Sequence, residues 1–306
     1  MLHFMITNKV GVRVFANLSK LTSNKSILAV ILIALIALTI VAGCISTGKS
    51  VKKVETFKIG SVPSVVPGVS TGQLQTIGQK IYSNETGDDV NNLIFWSKNE
   101  GFASLGVGHF IWYPEGREQR FKQTFPDMIR YLALNGADVP EWLLQQIQVG
   151  ALWNSREQLE QTRGSTKFQA LQQLLLETSG LQVAFLFQRL DKALPRMLAA
   201  TPPGNHASIN QRFKTLQSSP GGLYPLVDYV NFKGEGAVPA EGYNGLGWGL
   251  LQVLETMEDT PAGPKALAAF AQAADTVLTR RVNNAPPERN EQRWLPGWRV
   301  RLQTYY

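Results

Sequence analysis

Apolar residues fall into three rhythms along the chain, and each rhythm predicts a different kind of segment. The first is a block: residues 27–43, I-L-A-V-I-L-I-A-L-I-A-L-T-I-V-A-G, are apolar almost without interruption and follow a polar, basic stretch. A run of that length with a basic flank predicts a signal peptide or membrane anchor rather than a core element. The second rhythm is helical. Leu74, Ile77 and Ile81 recur at three- and four-residue steps, predicting an amphipathic helix over residues 73–85 that Thr86-Gly87 stops. Further helices are predicted over 125–134, ended by Asn135-Gly136, and over 140–153, 165–178 and 181–198, with Pro202-Pro203-Gly204 closing this middle region. The third rhythm is alternation: Phe102 and Ser104 lead into L-G-V-G-H, which predicts a tight, glycine-kinked β-hairpin over 102–111. Two stretches carry none of these. Residues 45–70, rich in Ser, Val, Gly, Pro and Lys, read as a tether, and residues 88–98 read as a connecting loop long enough to fold over a cleft.

Composition removes several classes of function. With 306 residues, 44% hydrophobic and 17% charged, the chain is no disordered polymer. Four of its basic residues, Lys9, Arg13, Lys20 and Lys25, precede the apolar block, leaving only +3 of the formal +7 to the rest, too little to argue for nucleic acid. The single cysteine, Cys44, excludes an intrachain disulfide and a cysteine-based metal cluster. His3, His109 and His206 are too scattered to suggest a metal site, and no cofactor is expected.

The candidate chemistry lies between the first helix and the hairpin. Glu85 falls at a helix C-terminus, where the helix dipole disfavours negative charge, which suits a carboxyl that must hold a proton and give it up. Its context, I-Y-S-N-E-T-G, resembles the glutamate site of goose-type lysozymes and lytic transglycosylases. The segment E-G-F-A-S-L-G-V-G-H closely resembles the hairpin motif of the phage-type lysozymes, which follows the helix bearing their catalytic glutamate. Two later segments extend the likeness in order: Asp228-Tyr229-Val230-Asn231-Phe232-Lys233-Gly234-Glu235-Gly236 is similar to their groove-completing turn, and residues 294–305 resemble their closing P-x-R-x-x-R-x-x-T-aromatic segment. The resemblance implies an α+β, mainly α fold, with a helical lobe and a small hairpin lobe around a groove, occupying residues 73–306 with an enlarged middle helical region.

The resemblance also implies roles. Glu85 would be the general acid, and Ser104 would stand where the family carries a threonine. Lys98 stands where the family carries an aspartate, so Glu100 becomes the nearest replacement, with Asp88 or Asp89 in the loop as alternatives. His109 would be structural. Trp112, Tyr229, Tyr243 and Trp248 would offer flat faces to sugar rings, Asn231 and Glu235 would line the groove, and Arg299 and Arg301 would pair with acidic residues. Val41-Ala42-Gly43-Cys44 resembles a bacterial lipobox. This implies a signal peptide over 1–43, a lipidated Cys44 and a tether over 44–72. Ile45 after the cysteine points to the outer membrane, facing the periplasm. The expected partners are peptidoglycan and a membrane reached through the lipid, with no nucleic acid. Two functions follow: a peptidoglycan-cleaving glycosidase, either muramidase or lytic transglycosylase, or a catalytically inactive wall-binding or scaffold lipoprotein on the same fold.

Overall fold

The structure, a computed structural model, describes residues 57–238 and 242–306. The apolar block, Cys44 and residues 45–56, and with them the expected signal peptide, lipidation site and first part of the tether, lie outside the described residues. Helix α1 (Thr71–Thr86) forms where the periodicity placed it, starting two residues earlier. Ser70 caps it: its hydroxyl accepts from the Gln73 amide at 3.2 Å while the Gln73 side chain accepts from the Ser70 amide at 2.9 Å. Gly87, with φ 62°, closes the helix by donating to Ser83 O.

The tether expectation needs correction over its last part. Ile59 and Val62 are buried, Gln79 and Gln75 of α1 bond the backbone of Ile59, and the Gly60 amide donates to Ser179 Oγ. Apolar side chains in a Ser/Val-rich stretch thus pack down rather than run free.

The loop expected over 88–98 is also more ordered than a flap. Asp89 caps a 3-10 turn at Val90–Leu93, and β1 (Ile94–Phe95) then adds to the hairpin of β2 (Ala103–Leu105) and β3 (Phe110–Trp112) as a third antiparallel strand. The register pairs Phe95 with Ser104 and Ser104 with Ile111, so these three share one face, while Ile94, Leu105, Phe110, Ala103 and Trp112 share the buried face.

The rest is helical: among the described residues helix reaches 61% and strand 5%. The fold is therefore α+β and mainly α. Helices α2 (Phe125–Leu134), α3 (Glu141–Val149), α4 (Arg156–Gln161) and α5 (Thr166–Glu177) lead into α6 (Ser179–Ala199), the central rod, which packs against α1, α2, α5 and two later helices, α7 (His206–Ser218) and α8 (Leu223–Lys233). Gly180, expected between two helices, lies in the first turn of α6, where an added Cβ would sit 2.0 Å from Ser61 O. After α8 come the ribbon of β4 (Gly242–Tyr243) and β5 (Leu246–Gly247), then α9 (Leu250–Thr256), the long α10 (Pro264–Asn284) and α11 (Leu295–Leu302). Among the described residues no helix is long and apolar enough to cross a membrane.

One buried amide fixes the hairpin to the rod. Gln182 of α6 is fully buried; its oxygen accepts from the Val107 amide at 2.9 Å and its nitrogen donates to Leu175 O and Thr178 Oγ1. Gln182→Met strands the Val107 N–H and the Leu175 carbonyl without partners, and the expected loss is roughly 2–5 kcal/mol of unfolding free energy in a urea titration. Gly164→Ala, at a site with nothing within 4 Å of the new methyl, should leave the midpoint in place or raise it slightly.

Candidate active site

Three elements converge on Glu85. It sits in the last turn of α1, 14% exposed, and one carboxylate oxygen carries all its close bonds: Oε1 accepts from Arg301 Nη2 of α11 at 2.7 Å and from Asn231 Nδ2 of α8 at 3.1 Å. The other oxygen, Oε2, faces His109 Nδ1 of the hairpin turn at 3.6 Å. Glu85 and the hairpin motif are therefore brought together as expected.

The hairpin turn is shaped to reach this point. Gly106 has φ 76° and its amide donates to Leu93 O, while His109 itself adopts φ 47°, a left-handed conformation uncommon for a residue with a side chain. His109 Nε2 lies 2.9 Å from Asn92 O. A carbonyl only accepts, so that nitrogen carries the hydrogen, and in the neutral ring Nδ1 is left as a bare acceptor toward Glu85. Burial lowers the His109 pKa, with Glu85 and the Asn92 carbonyl opposing. Phe95 stacks parallel to the ring at 6.1 Å, which places the Phe95, Ser104 and Ile111 face of the sheet on the same side as His109. Asn231 closes the turn from α8: it donates to Gly108 O at 2.9 Å and accepts from Arg189 Nη1 at 3.1 Å, so both ends of its amide are assigned by their partners.

Arg301 reaches Glu85 because Asp228 holds it. Asp228 is fully buried in α8 and receives Arg301 through two bonds of 2.8 Å, with the Tyr305 hydroxyl donating to the same carboxylate at 2.6 Å. Burial opposes the Arg301 charge, but the pair of carboxylates outweighs it and moves the guanidinium pKa well above its ordinary value. The expectation that Arg299 and Arg301 pair with acids therefore holds, Arg299 meeting Asp275 at 2.7 Å on the surface.

The other expected site residues divide. Glu100 stands in the loop between β1 and β2, where Trp96 Nε1 donates to its carbonyl at 2.8 Å. Glu100 is exposed; lost hydration raises its pKa, Lys233 opposes and Glu85 adds to the rise. Asp88 and Asp89 make local bonds, Asp88 accepting from the Ser83 hydroxyl at 2.6 Å and Asp89 from the Asn91 amide at 2.9 Å. Lys98 is exposed.

Tyr229 is a correction: it has no exposed surface, and its hydroxyl donates to Trp248 O at 3.0 Å. So is Trp112. It is fully buried against Phe125 at 4.6 Å and Trp153 at 6.4 Å and has no face for a sugar, because strand alternation puts it on the core side with Phe110. Glu235 is taken up by Arg196 of α6 at 2.6 Å. Trp248 is buried, with the Arg281 guanidinium 4.0 Å over its ring and Tyr243 4.8 Å away, so a stacked sugar on that face is excluded too. Tyr243 instead donates to Glu291 Oε1 at 2.7 Å and receives Arg120 from the loop after β3. Tyr243 and Arg120, with Phe121 and Trp248, border a recess of about 330 Å³.

Asp228, Arg189, Lys233, Arg281 and Glu291 were not anticipated. The first had a signal: an aspartate inside L-Y-P-L-V-D-Y-V is an acid in an apolar helix, which requires a buried cationic partner. Arg281 and Glu291, paired at 2.6 Å with both side chains mostly buried, had none. Among the described residues no group of three or more His, Cys, Asp or Glu side chains is gathered as a metal site would need. Comparison with family models, with curated proteins and with solved structures finds no match to the chain.

Two measurements check this electrostatic arrangement. Asp228→Asn leaves Arg301 buried with half its countercharge, and the expected cost is about 3–5 kcal/mol in denaturant unfolding, larger than for Asp275→Asn on the surface pair. For His109 the folded pKa is lowered, so the ring gives up its proton on folding. The stability this favours is complete above the ordinary value of 6.5 and is lost as pH falls below it toward the folded value. His109→Asn tolerates the left-handed backbone and cannot titrate, so the stability difference between wild type and variant should shrink as pH drops below about 6.5.

Proposed function

We propose that the chain is a lipid-anchored, peptidoglycan-cleaving glycosidase on a lysozyme-like fold, in which Glu85 is the general acid. The observation that carries this reading is the one-sided hold on Glu85: Arg301 and Asn231 occupy Oε1 and leave Oε2, the oxygen able to bear a proton, toward the hairpin. A glycosidic oxygen entering between α1 and the hairpin would take that proton as its bond to the sugar carbon breaks. His109 presents an acceptor to the same oxygen, and its burial keeps the ring neutral, so it steers the proton without keeping it. In a hydrolase Glu100 and Ser104 would order the attacking water. In a lytic transglycosylase a hydroxyl of the sugar itself attacks, and one carboxyl suffices. Cys44, acylated, would fix the enzyme to the outer membrane facing the periplasm.

A second reading, a catalytically idle wall-binding lipoprotein, is supported by the Arg301 contact itself, since a carboxylate held by a guanidinium at 2.7 Å is an acceptor. Lys98 at the position of the family's aspartate supports it as well.

Activity on isolated peptidoglycan separates the two. Glu85→Gln is expected to lower cleavage by at least roughly 100-fold while sedimentation with the wall is unchanged. Glu100→Gln should cost nearly as much in a hydrolase and far less in a transglycosylase. Full cleavage by Glu85→Gln removes the mechanism, and wild-type protein that sediments with the wall without cutting it hands the case to the idle reading. Cys44→Ser should abolish acyl mass and partitioning into detergent; an unmodified Cys44 in the wild type ends the anchor assignment.

A further inference from the structure

Between Glu85 and the recess beside Trp248, cations and aromatic rings alternate in one continuous stack. The Arg301 guanidinium lies 4.2 Å from the centre of Phe232; the Lys233 amine lies 3.9 Å from Phe232 and 3.6 Å from Trp298; Arg281 lies 5.0 Å from Trp298 and 4.0 Å from Trp248. The two outer cations are neutralised within the protein, Arg301 by Asp228 and Glu85 and Arg281 by Glu291. The middle one, among the described residues, is not. Among the described residues no carboxylate comes within 4.0 Å of the Lys233 amine. It is half-buried at the end of α8, two residues from Asn231, which bonds Glu85.

We propose that Lys233, seated between Phe232 and Trp298, is the binding site for a carboxylate carried by the glycan strand. This rests on the glycosidase reading and deepens it by naming the anionic group that the cleft recognises. Two rings can hold a cation but cannot replace the hydration lost on burial, so an incoming anion gains the full interaction that the outer arginines already enjoy. Burial, then the neighbouring Arg281 and Arg301 charges, moves the amine pKa well below its ordinary value, and a bound anion would reverse that. The site suits one negative charge rather than two: Glu100 is close enough to feel Lys233 and would repel a phosphate dianion, whereas a compact amine is matched by a single carboxylate. Such a carboxylate has two sources on peptidoglycan, the lactyl ether of a muramic residue whose peptide has been removed, and the peptide where it remains.

The test uses full-length Glu85→Gln protein in detergent, which binds without turnover, and calorimetric titration with three soluble strands: peptide-free strands, the same strands with their carboxyls converted to amides, and peptide-bearing strands. Peptide-free or peptide-bearing strands are expected to bind at least about tenfold tighter than the amidated ones, and whichever does so names the source. Adding Lys233→Met should erase that preference while leaving affinity for amidated strands unchanged, and Lys233→Arg should keep part of it. Thermal melting of each variant identifies any that fail to fold, in which case the Arg variant decides: an undiminished preference for carboxylated over amidated strands there overturns the site. A preference that survives Lys233→Met, or no preference in the parent, also overturns it. If wild-type protein cleaves wall but shows no Lys233-dependent preference, this inference falls alone; if the preference is present and no wall is cut, the glycosidase reading falls alone.

Discussion

The structure around the candidate site depends on one buried ion pair. Asp228 has no exposed surface, lies in an apolar helix and is tolerable there only because Arg301, Tyr305 and Asn84 bring donors to it. That requirement pulls the C-terminal helix onto α8. Arg301, once seated, has a nitrogen left over for Glu85, and the catalytic candidate is oriented from the far end of the chain, 216 residues away. The pair thus does two things at once: it ties the last helix to the body of the protein and decides which oxygen of Glu85 remains available. Replacing it with apolar residues of similar volume need not weaken the fold, but it would release Glu85.

The same economy of groups appears on the hairpin side. Gln182 anchors the Gly106-Val107 turn, the turn presents His109 in a left-handed conformation, and His109 spends one nitrogen on Asn92 so that the other faces Glu85. Asn231 then joins α1 to the hairpin by bonding Gly108 and Glu85 together. Every polar contact at Glu85 is in turn held by a further bond behind it, which is how a site keeps its geometry when one wall is a three-stranded sheet of short strands.

What could be read from the sequence was local. The spacing of Leu74, Ile77 and Ile81 with Gly87 beyond them defines α1 without reference to anything else, and the glycines of L-G-V-G-H define the turn. The mainly helical class followed from the same periodicities. The third strand is hidden in the sequence because L-I-F-W is a short apolar run with no period of its own, and the tether reads too long because Ile59 and Val62 sit among turn-forming residues. Trp112 lies on the core face because F-I-W alternates in step with Phe110, a period that its aromatic type masks in the sequence. The pairings Asp228 with Arg301 and Arg281 with Glu291 join separate elements, and only folding brings them together. The lysozyme-like resemblance located the Glu85 and hairpin region, whose residues do meet, but it did not foresee the cations around them.

If Glu85 acts as the proposed general acid, the protein breaks glycosidic bonds. The measurement that bears on it most directly is mass analysis of the strand ends released when purified wild-type protein is incubated with isolated peptidoglycan. The account predicts new glycan ends, reducing if water attacks and anhydro if a sugar hydroxyl attacks, with the peptides intact. Release of peptide ends alone, or strands of unchanged length after prolonged incubation, would contradict it.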